Sequence, residues 1–274
     1  MPAISTRLDW LSFTVDVLPL LTEGRVLSAG RVVLDLVREA TGGVLTFSGG
    51  PNIGVGRYPY RFSTDGDGFK VYWSQGQPEM LIEVSGKGCE ALHNSGALPG
   101  LVEAFVDRLT RVDIATDILT ETRPLEFAEQ RSNQRHKSHE HNVSQSGETY
   151  YVGSRKSPRY ARVYRYEPPH PRADRLRVEC VFRGPHSVAL ARTWLEVGDE
   201  ETAARVGNQY GWTHPDWTPE SKETIPAWRP DRSEHKTLHW YHSQVIPAVK
   251  KLIKAGVLTK EDMMQDFFPP TGSL

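Results

Sequence analysis

Three patterns in the sequence predict an α+β fold built on an antiparallel-rich central sheet with helices. Runs of period-2 alternation recur from residue 9 to residue 183, and turn clusters such as Asp65-Gly-Asp-Gly68 separate neighbouring runs as hairpins do. Segments with helical apolar spacing interrupt them. Beyond Gly198 the texture changes to helix and loop carrying Trp212, Trp217, Trp228 and Trp240, which marks residues 1–198 as an α+β core and 199–274 as a helical C-terminal region.

In chain order, Asp9 to Val15 alternates Trp10, Ser12 and Thr14 against Leu11, Phe13 and Val15, and predicts a strand. Gly24 to Ala40 predicts a helix that stops at Gly42-Gly43. Short strands follow over Val44 to Phe47, Tyr58 to Ser63, Gly68 to Trp73 and Met80 to Val84. A helix from Pro99 to Leu109 leads into a strand from Arg111 to Ile118. Pro124 opens another helix reaching Gln134, because proline suits the first helical position. Arg135 to Gly147 has almost no apolar residue and predicts an exposed loop feeding a strand around Tyr150. Strands over Arg159 to Tyr166 and Arg175 to Arg183 precede a helix opened by Gly184-Pro185 and running to Val197. His235 to Ala255 predicts a long helix.

Composition bounds the function. The 274 residues suffice for a substantial core, and no apolar run approaches the roughly 18 residues of a membrane span. The first ten residues carry Arg7 and Asp9 and lack a secretory apolar segment, so no membrane is expected. Only Cys89 and Cys180 are present, which points to a reducing cytoplasm rather than a disulfide framework. Net charge is −1, yet Arg131 to Arg192 holds 13 Lys or Arg against 5 acids. A basic face on an acidic body is compatible with DNA.

Alternation also gathers the chemistry. Tyr160, Arg162, Tyr164 and Tyr166 share one strand face, as do Arg177, Glu179, Val181 and Arg183, and Arg111, Asp113, Ala115 and Asp117 share a third. Arg111-Val-Asp113 and Arg177-Val-Glu179 repeat one pattern at the centre of two strands. Asp113, Asp117 and Glu179 are therefore candidate ligands for Mg2+ or Mn2+, which take hard oxygen donors. The competing reading makes Arg111, Asp113, Arg177 and Glu179 cross-strand ion pairs on a solvated face. Tyr151, Tyr160, Tyr164 and Tyr166 are candidate nucleophiles, against the alternative that strand tyrosines simply pack. A phenol ordinarily titrates near about 10, and Arg155, Lys156, Arg162 and Arg177 are expected to lower that value. Gly153-Ser-Arg-Lys-Ser157 and Ser85-Gly-Lys-Gly-Cys89 read equally as phosphate-binding turns and as structural turns. His136, His139 and His141 read as a solvated polar loop.

Asp9-Trp-Leu-Ser-Phe13, Val84-Ser-Gly-Lys-Gly-Cys89, Arg111-Val-Asp-Ile-Ala-Thr-Asp117, Tyr151-Val-Gly-Ser-Arg-Lys-Ser157, Arg162-Val-Tyr164 and Arg177-Val-Glu179 occur in that order. Together they resemble the replication initiation factors of rolling-circle plasmids and filamentous phages. The resemblance spans residues 9 to about 183, and Trp240 with Gln244-Val-Ile-Pro247 is similar to that family's helical C-terminal portion.

The resemblance implies a relaxase-like, ferredoxin-like core and a nicking-closing activity at an origin through a 5′-phosphotyrosine intermediate. It makes Asp113 and Glu179 metal ligands with Asp117 as a third, Tyr164 the nucleophile ahead of Tyr160, and Arg162 and Arg177 phosphate or orienting groups. Arg155, Lys156, Ser157 and Arg159 become DNA contacts. Its partners would be origin DNA and a host helicase and polymerase, with a homodimer as one assembly it allows. One departure stands out: the family has an acid and then lysine after its tyrosine, where this chain has Arg165-Tyr166-Glu167. The alternative is a DNA-binding regulator of the same fold that does not cut. A tyrosine recombinase would share the phosphotyrosine chemistry, but its His-x-x-Arg helix and C-terminal tyrosine are not matched here.

Overall fold

The computed structural model describes residues 4–16, 38, 52–55, 58–63, 68–74, 79–131, 138–145, 147–166, 174–210, 223–227, 246–254, 256 and 259. The helix expected over Gly24 to Ala40, the strand over Val44 to Phe47 and the four C-terminal tryptophans lie outside these residues, apart from residue 38, which is helical.

The strands are β1 (Ile4–Asp16), β2 (Asn52–Val55), β3 (Tyr58–Ser63), β4 (Phe69–Trp73), β5 (Glu79–Val84), β6 (Leu109–Leu119), β7 (His139–Ser144), β8 (Gly147–Val152), β9 (Arg159–Tyr166) and β10 (Arg175–Arg183). They form one sheet in the order β2-β3-β4-β5-β1-β6-β10-β9-β8-β7. Every neighbouring pair is antiparallel. The expected α+β class with an antiparallel sheet is what the chain adopts, and β6 and β10, the two strands bearing the Arg-Val-acid pattern, are adjacent at its centre.

The helices are α1 (Gly86–Ser95), α2 (Leu98–Phe105), α3 (Pro124–Arg131), α4 (Pro185–Tyr210) and α5 (Ile246–Lys254). One face of the central sheet is apolar and covered by α4, whose Ala203, Val206 and Gly207 lie against Ile114, Thr116, Val178 and Cys180. The start of α4 is pinned to β6, where Ser187 Oγ donates to the Leu109 carbonyl at 3.0 Å and Gly184 N to the Thr110 carbonyl at 2.8 Å. Cys89 and Cys180 are buried and unpaired.

Three local outcomes differ from the sequence expectation. The helix expected to reach Leu109 ends at Phe105 and passes through a 3-10 turn, Val106–Arg108, into β6. The polar segment expected as a loop contains β7, all six of whose residues are exposed. An edge strand needs only backbone pairing on one side, so β7 leaves no hydrophobic alternation to read. Near residue 198, where the texture changes, α4 kinks at Gly198 with φ 78 and ψ −173, a conformation suited to glycine. Trp194 Nε1 donates to Asp199 Oδ1 across the kink at 2.6 Å, and Thr202, Ala203, Val206 and Tyr210 beyond it are buried. The chain's two compact units are Met1–Trp228 and Arg229–Leu274. In the second, α5 carries Lys251 and Lys254 in its last turn, where cations oppose the negative helix end.

The Ser85-Gly-Lys-Gly-Cys89 turn is close-packed rather than open. A Cβ on Gly88 would lie 2.1 Å from the Gly68 carbonyl oxygen and 2.7 Å from Val84 Cγ1, and one on Gly86 would lie 2.9 Å from Asp9 Oδ1. Gly88 is therefore required where α1 starts, because backbone blocks a side chain there, whereas Gly86 faces only the Asp9 side chain.

A buried carboxylate and arginine cluster as candidate active site

Opposite residues on antiparallel strands face the same way, so the register fixes which side chains meet. Asp117 faces Arg177, Ala115 faces Glu179 and Asp113 faces Val181 between β6 and β10. Arg177 faces Tyr164, Glu179 faces Arg162 and Val181 faces Tyr160 between β10 and β9. β1 adds Trp10 opposite Asp113.

A register shift between Leu8 and Trp10 leaves Asp9 in a bulge. Strict alternation would put Asp9 with Leu11 and Phe13. The bulge instead keeps Leu8 and Leu11 both in the core and lets Asp9 Oδ2 accept from Arg177 Nη1 at 3.0 Å. Sequence reasoning missed this role for Asp9 because one extra residue inverts the period.

The polar face is not solvated. Asp113 is 0%, Glu179 1%, Arg177 4% and Asp117 6% exposed, and the ion pairs of this desolvated layer are not those foreseen: Arg111 pairs with Asp113 along its own strand, Arg177 with Asp117, and Glu179 with Arg162. Arg111 donates to both Asp113 oxygens at 2.9 and 2.5 Å, and its guanidinium lies over the Trp10 ring at 4.7 Å. Arg177 donates to both Asp117 oxygens at 2.6 and 2.7 Å. Arg162 Nη2 reaches Glu179 Oε1 at 2.6 Å, and Tyr164 Oη donates to Glu179 Oε2 at 2.9 Å.

Protonation follows from this packing. Burial pushes the Asp113 carboxyl up to about 8 against the pull of Arg111, and the neighbouring Glu179 adds to the rise. Burial would raise Glu179 too, but the charge and hydrogen bond of Arg162 outweigh it and hold that carboxyl below its ordinary value. The two carboxyls are therefore pushed apart, Asp113 towards the protonated form and Glu179 towards the charged one. Burial and the neighbouring Glu179 charge hold the Tyr164 phenol well above its ordinary value, although Arg177 and Arg162 act the other way. This corrects the expectation of a lowered phenol: Arg162 and Arg177 do pull it down, but burial and Glu179 outweigh them.

The cluster thus brings together Tyr164, Arg162, Glu179 and Asp113, with Arg177, Asp117 and Asp9 beside them. Tyr160 is not in it. Its ring is 6% exposed, under the Arg183 guanidinium at 5.2 Å and 6.4 Å from the Tyr151 ring. Tyr166 Oη lies 3.4 Å from Tyr164 Oη. Among the described residues no three His, Cys, Asp or Glu side chains are spaced to hold a metal ion. Asp113 and Glu179 carry the hard oxygens that a divalent cation takes, but Arg111 already holds both oxygens of Asp113, and Arg162 and Tyr164 hold those of Glu179. Both oxygens of Asp117 are likewise held, by Arg177.

The basic turn after β8 splits between two faces. Arg155 and Lys156 are exposed, and Arg155 lies over the Tyr151 ring at 5.0 Å. Ser157 and Ser154 bond the turn's own backbone, with Arg159 N donating to Ser157 Oγ at 3.3 Å and Ser157 N to the Ser154 carbonyl at 2.8 Å. Arg159 pairs with Phe182 in register and so lies on the helix-covered face, where its charge acts on His186 and Tyr210. His141 accompanies Glu148 at 3.0 Å, away from the carboxylate cluster in register. An open cleft of about 470 Å³ beside the cluster is lined by Asn142, Thr149, Tyr151, Arg162, Tyr164 and Tyr166. That volume suits a small ligand or one unit of a polymer. Its β7 wall was illegible because β7 itself was.

No family model matches this sequence, and no curated protein matches it. The fold is shared with a solved rolling circle replication initiator protein from Geobacillus stearothermophilus. The two chains are 19% identical, the match covers 83% of this chain and 93% of that one, and the TM-score is 0.54. A tyrosine, arginine and carboxylate cluster at the centre of this sheet is thus carried on the fold of a rolling-circle initiator.

Proposed function

We propose that this chain is a rolling-circle replication initiator that nicks and rejoins one DNA strand at an origin. The observation that carries the reading is the hydrogen bond from Tyr164 to Glu179, inside a layer of buried arginines and acids that opens on a nucleotide-sized cleft. The initiator fold of the Geobacillus protein supports the same reading.

In this reading Tyr164 Oη attacks a DNA phosphorus, the P–O3′ bond breaks, and a 5′-phosphotyrosine and a free 3′-hydroxyl result. The phenolic proton ends on the departing O3′, so no co-reactant is consumed, and the reverse transfer rejoins the strand. Arg162 and Arg177 orient the phosphate face through their fixed pairs with Glu179 and Asp117. Asp113 and Glu179 are the residues that would hold Mg2+ or Mn2+, and such an ion would supply charge against the phosphate oxygens. Arg155 and Lys156 contact the duplex backbone, and a host helicase and polymerase act on the exposed 3′ end.

A regulator that binds DNA without cutting it is favoured by one feature, the raised pKa of the Tyr164 phenol. Mass spectrometry decides between them. Single-stranded oligonucleotides tiling the DNA that encodes this chain are incubated with it and Mn2+, and the covalent peptide is sequenced. An adduct on Tyr164, lost in Tyr164→Phe and kept in Tyr160→Phe, is expected. Absence of any adduct under every metal condition would leave the regulator.

A further inference from the structure

The cleft face of β7, β8 and β9 carries three half-buried tyrosines beside small residues. Tyr166 stands opposite Gly147 and Tyr164 opposite Thr149, and the same two rows continue to Ser144 and Asn142 on β7. A strand tyrosine ordinarily packs on its cross-strand neighbour, and Gly147 has no side chain to offer. Tyr151, four residues further along β8 and in a row with Arg162, closes the other end. At about 3.3 Å per residue and about 4.8 Å per strand, the rows enclose a slot roughly 13 Å long and about 10 Å wide. A duplex, whose major groove alone spans about 12 Å, is too broad to enter it.

We propose that this slot takes one unpaired DNA base, stacked on Tyr166, so that a strand reaches Tyr164 only when it is single. The inference rests on the reading of this chain as a protein that acts on a DNA strand, and names the form of strand its cleft accepts. Tyr166 is braced for stacking: its ring meets Tyr164 edge-on at 5.3 Å, and Tyr164 is itself held by Glu179 at 2.9 Å. Every base has a π-face, so a ring platform accepts an unpaired base of any identity, whereas a paired base must first leave its stack. Thr149 and Asn142 put a hydroxyl and an amide on the slot floor, where a base edge finds polar partners, and Glu140 Oε1 steadies Asn142 Nδ2 at 2.8 Å. At the Tyr151 end, Arg162 spends Nη2 on Glu179 but has no acceptor at its buried Nε, so this guanidinium keeps donor capacity for a phosphate oxygen. Arg155, exposed over the Tyr151 ring, brings a second cation to the same end.

Equilibrium binding of a short fluorescent oligo(dT) strand, and of a duplex of the same length, to the whole chain tests this. Tyr166→Ala is expected to weaken oligo(dT) binding about tenfold, the share of one stacked base, and to leave duplex binding unchanged. Tyr166→Phe keeps the ring and is expected to bind like the native chain. An abasic strand of the same length should bind the native chain and Tyr166→Ala equally. Oligo(dT) binding that is unchanged in Tyr166→Ala, or that falls no more than duplex binding, overturns the slot and leaves the initiator reading standing wherever the Tyr164 adduct still forms. A loss in Tyr166→Phe as large as in Tyr166→Ala assigns the effect to the hydroxyl and overturns the stacking. No oligo(dT) binding by the native chain removes the slot and the initiator reading together. Should Tyr166→Ala fail to fold, Thr149→Ile takes its place, filling the slot floor with a side chain that suits a strand. The same loss is expected of it, and unchanged oligo(dT) binding overturns the slot.

Discussion

Arg177 grips Asp117 through two hydrogen bonds of 2.6 and 2.7 Å and spends a third, at 3.0 Å, on Asp9. One guanidinium so ties β10 to β6 and to the bulge of β1, across three adjacent strands. With Arg177 4% and Asp117 6% exposed, neither charge has water to fall back on. Arg177→Ala is expected to destabilise the fold by about 3–5 kcal/mol, the cost of leaving buried carboxylates unpaired. Urea unfolding measures it, and a loss under about 1 kcal/mol would mean that water enters the layer.

Asp113 and Asp117 should separate in function. Asp113→Asn and Glu179→Gln are each expected to abolish Mn2+ binding and DNA cleavage, with duplex binding retained because it rests on cation contacts to phosphate. Asp117→Asn is expected to lower stability, since it weakens the buried pair with Arg177. Chelation with EDTA should stop cleavage by the native chain. Persistent cleavage in EDTA would contradict the metal assignment.

A pH dependence follows from Asp113. Its folded pKa, raised to about 8 by burial, lies above the ordinary 3.8, so the folded chain holds a proton there that the unfolded chain releases. That contribution is full below about 4 and is lost as pH rises towards 8. Glu179 has the opposite sign: its pKa is lowered, and its contribution is lost as pH falls below 4.5. Stability in EDTA, followed by denaturant titration across pH 5 to 9, is expected to decline for the native chain. In Asp113→Asn that slope should flatten, because the amide carries no such proton.

The basic turn offers a contrast within five residues. Neutralising Arg155 and Lys156 is expected to flatten the log-log salt dependence of duplex binding by about 0.9 for each phosphate left without its cation. Arg159→Ala should leave the slope unchanged, since this side chain faces Phe182 and the helix side. An Arg159 effect equal to that of Arg155 would move the DNA to another surface.

Gly88→Ala places a methyl group 2.1 Å from the Gly68 carbonyl oxygen, which is backbone and has little room to yield. A loss of about 1–3 kcal/mol is expected from such overpacking. Gly86→Ala meets Asp9 Oδ1 at 2.9 Å, a side-chain atom, and should cost less while disturbing the Asp9 contact to Arg177. Thermal unfolding of the two variants ranks them.

The strands with internal alternation, and the faces of those strands, are legible in the order of residues. Arg111, Asp113 and Asp117 share one face of β6, Arg177 and Glu179 one face of β10, and Arg162 and Tyr164 one face of β9, because a period of two is a local property of extended backbone. The α+β class followed from the same periodicity. The rest came from the way the strands assemble. Register set Glu179 opposite Arg162 and Asp117 opposite Arg177, and so turned the acids expected as three ligands into a pair and a separate ion pair. Burial and the Glu179 charge outweighed the arginines at Tyr164, whose pull still acts in the expected direction. The bulge at Asp9 and the edge strand β7 left no readable period, the first because one inserted residue inverts alternation, the second because backbone pairing holds a strand with no buried face.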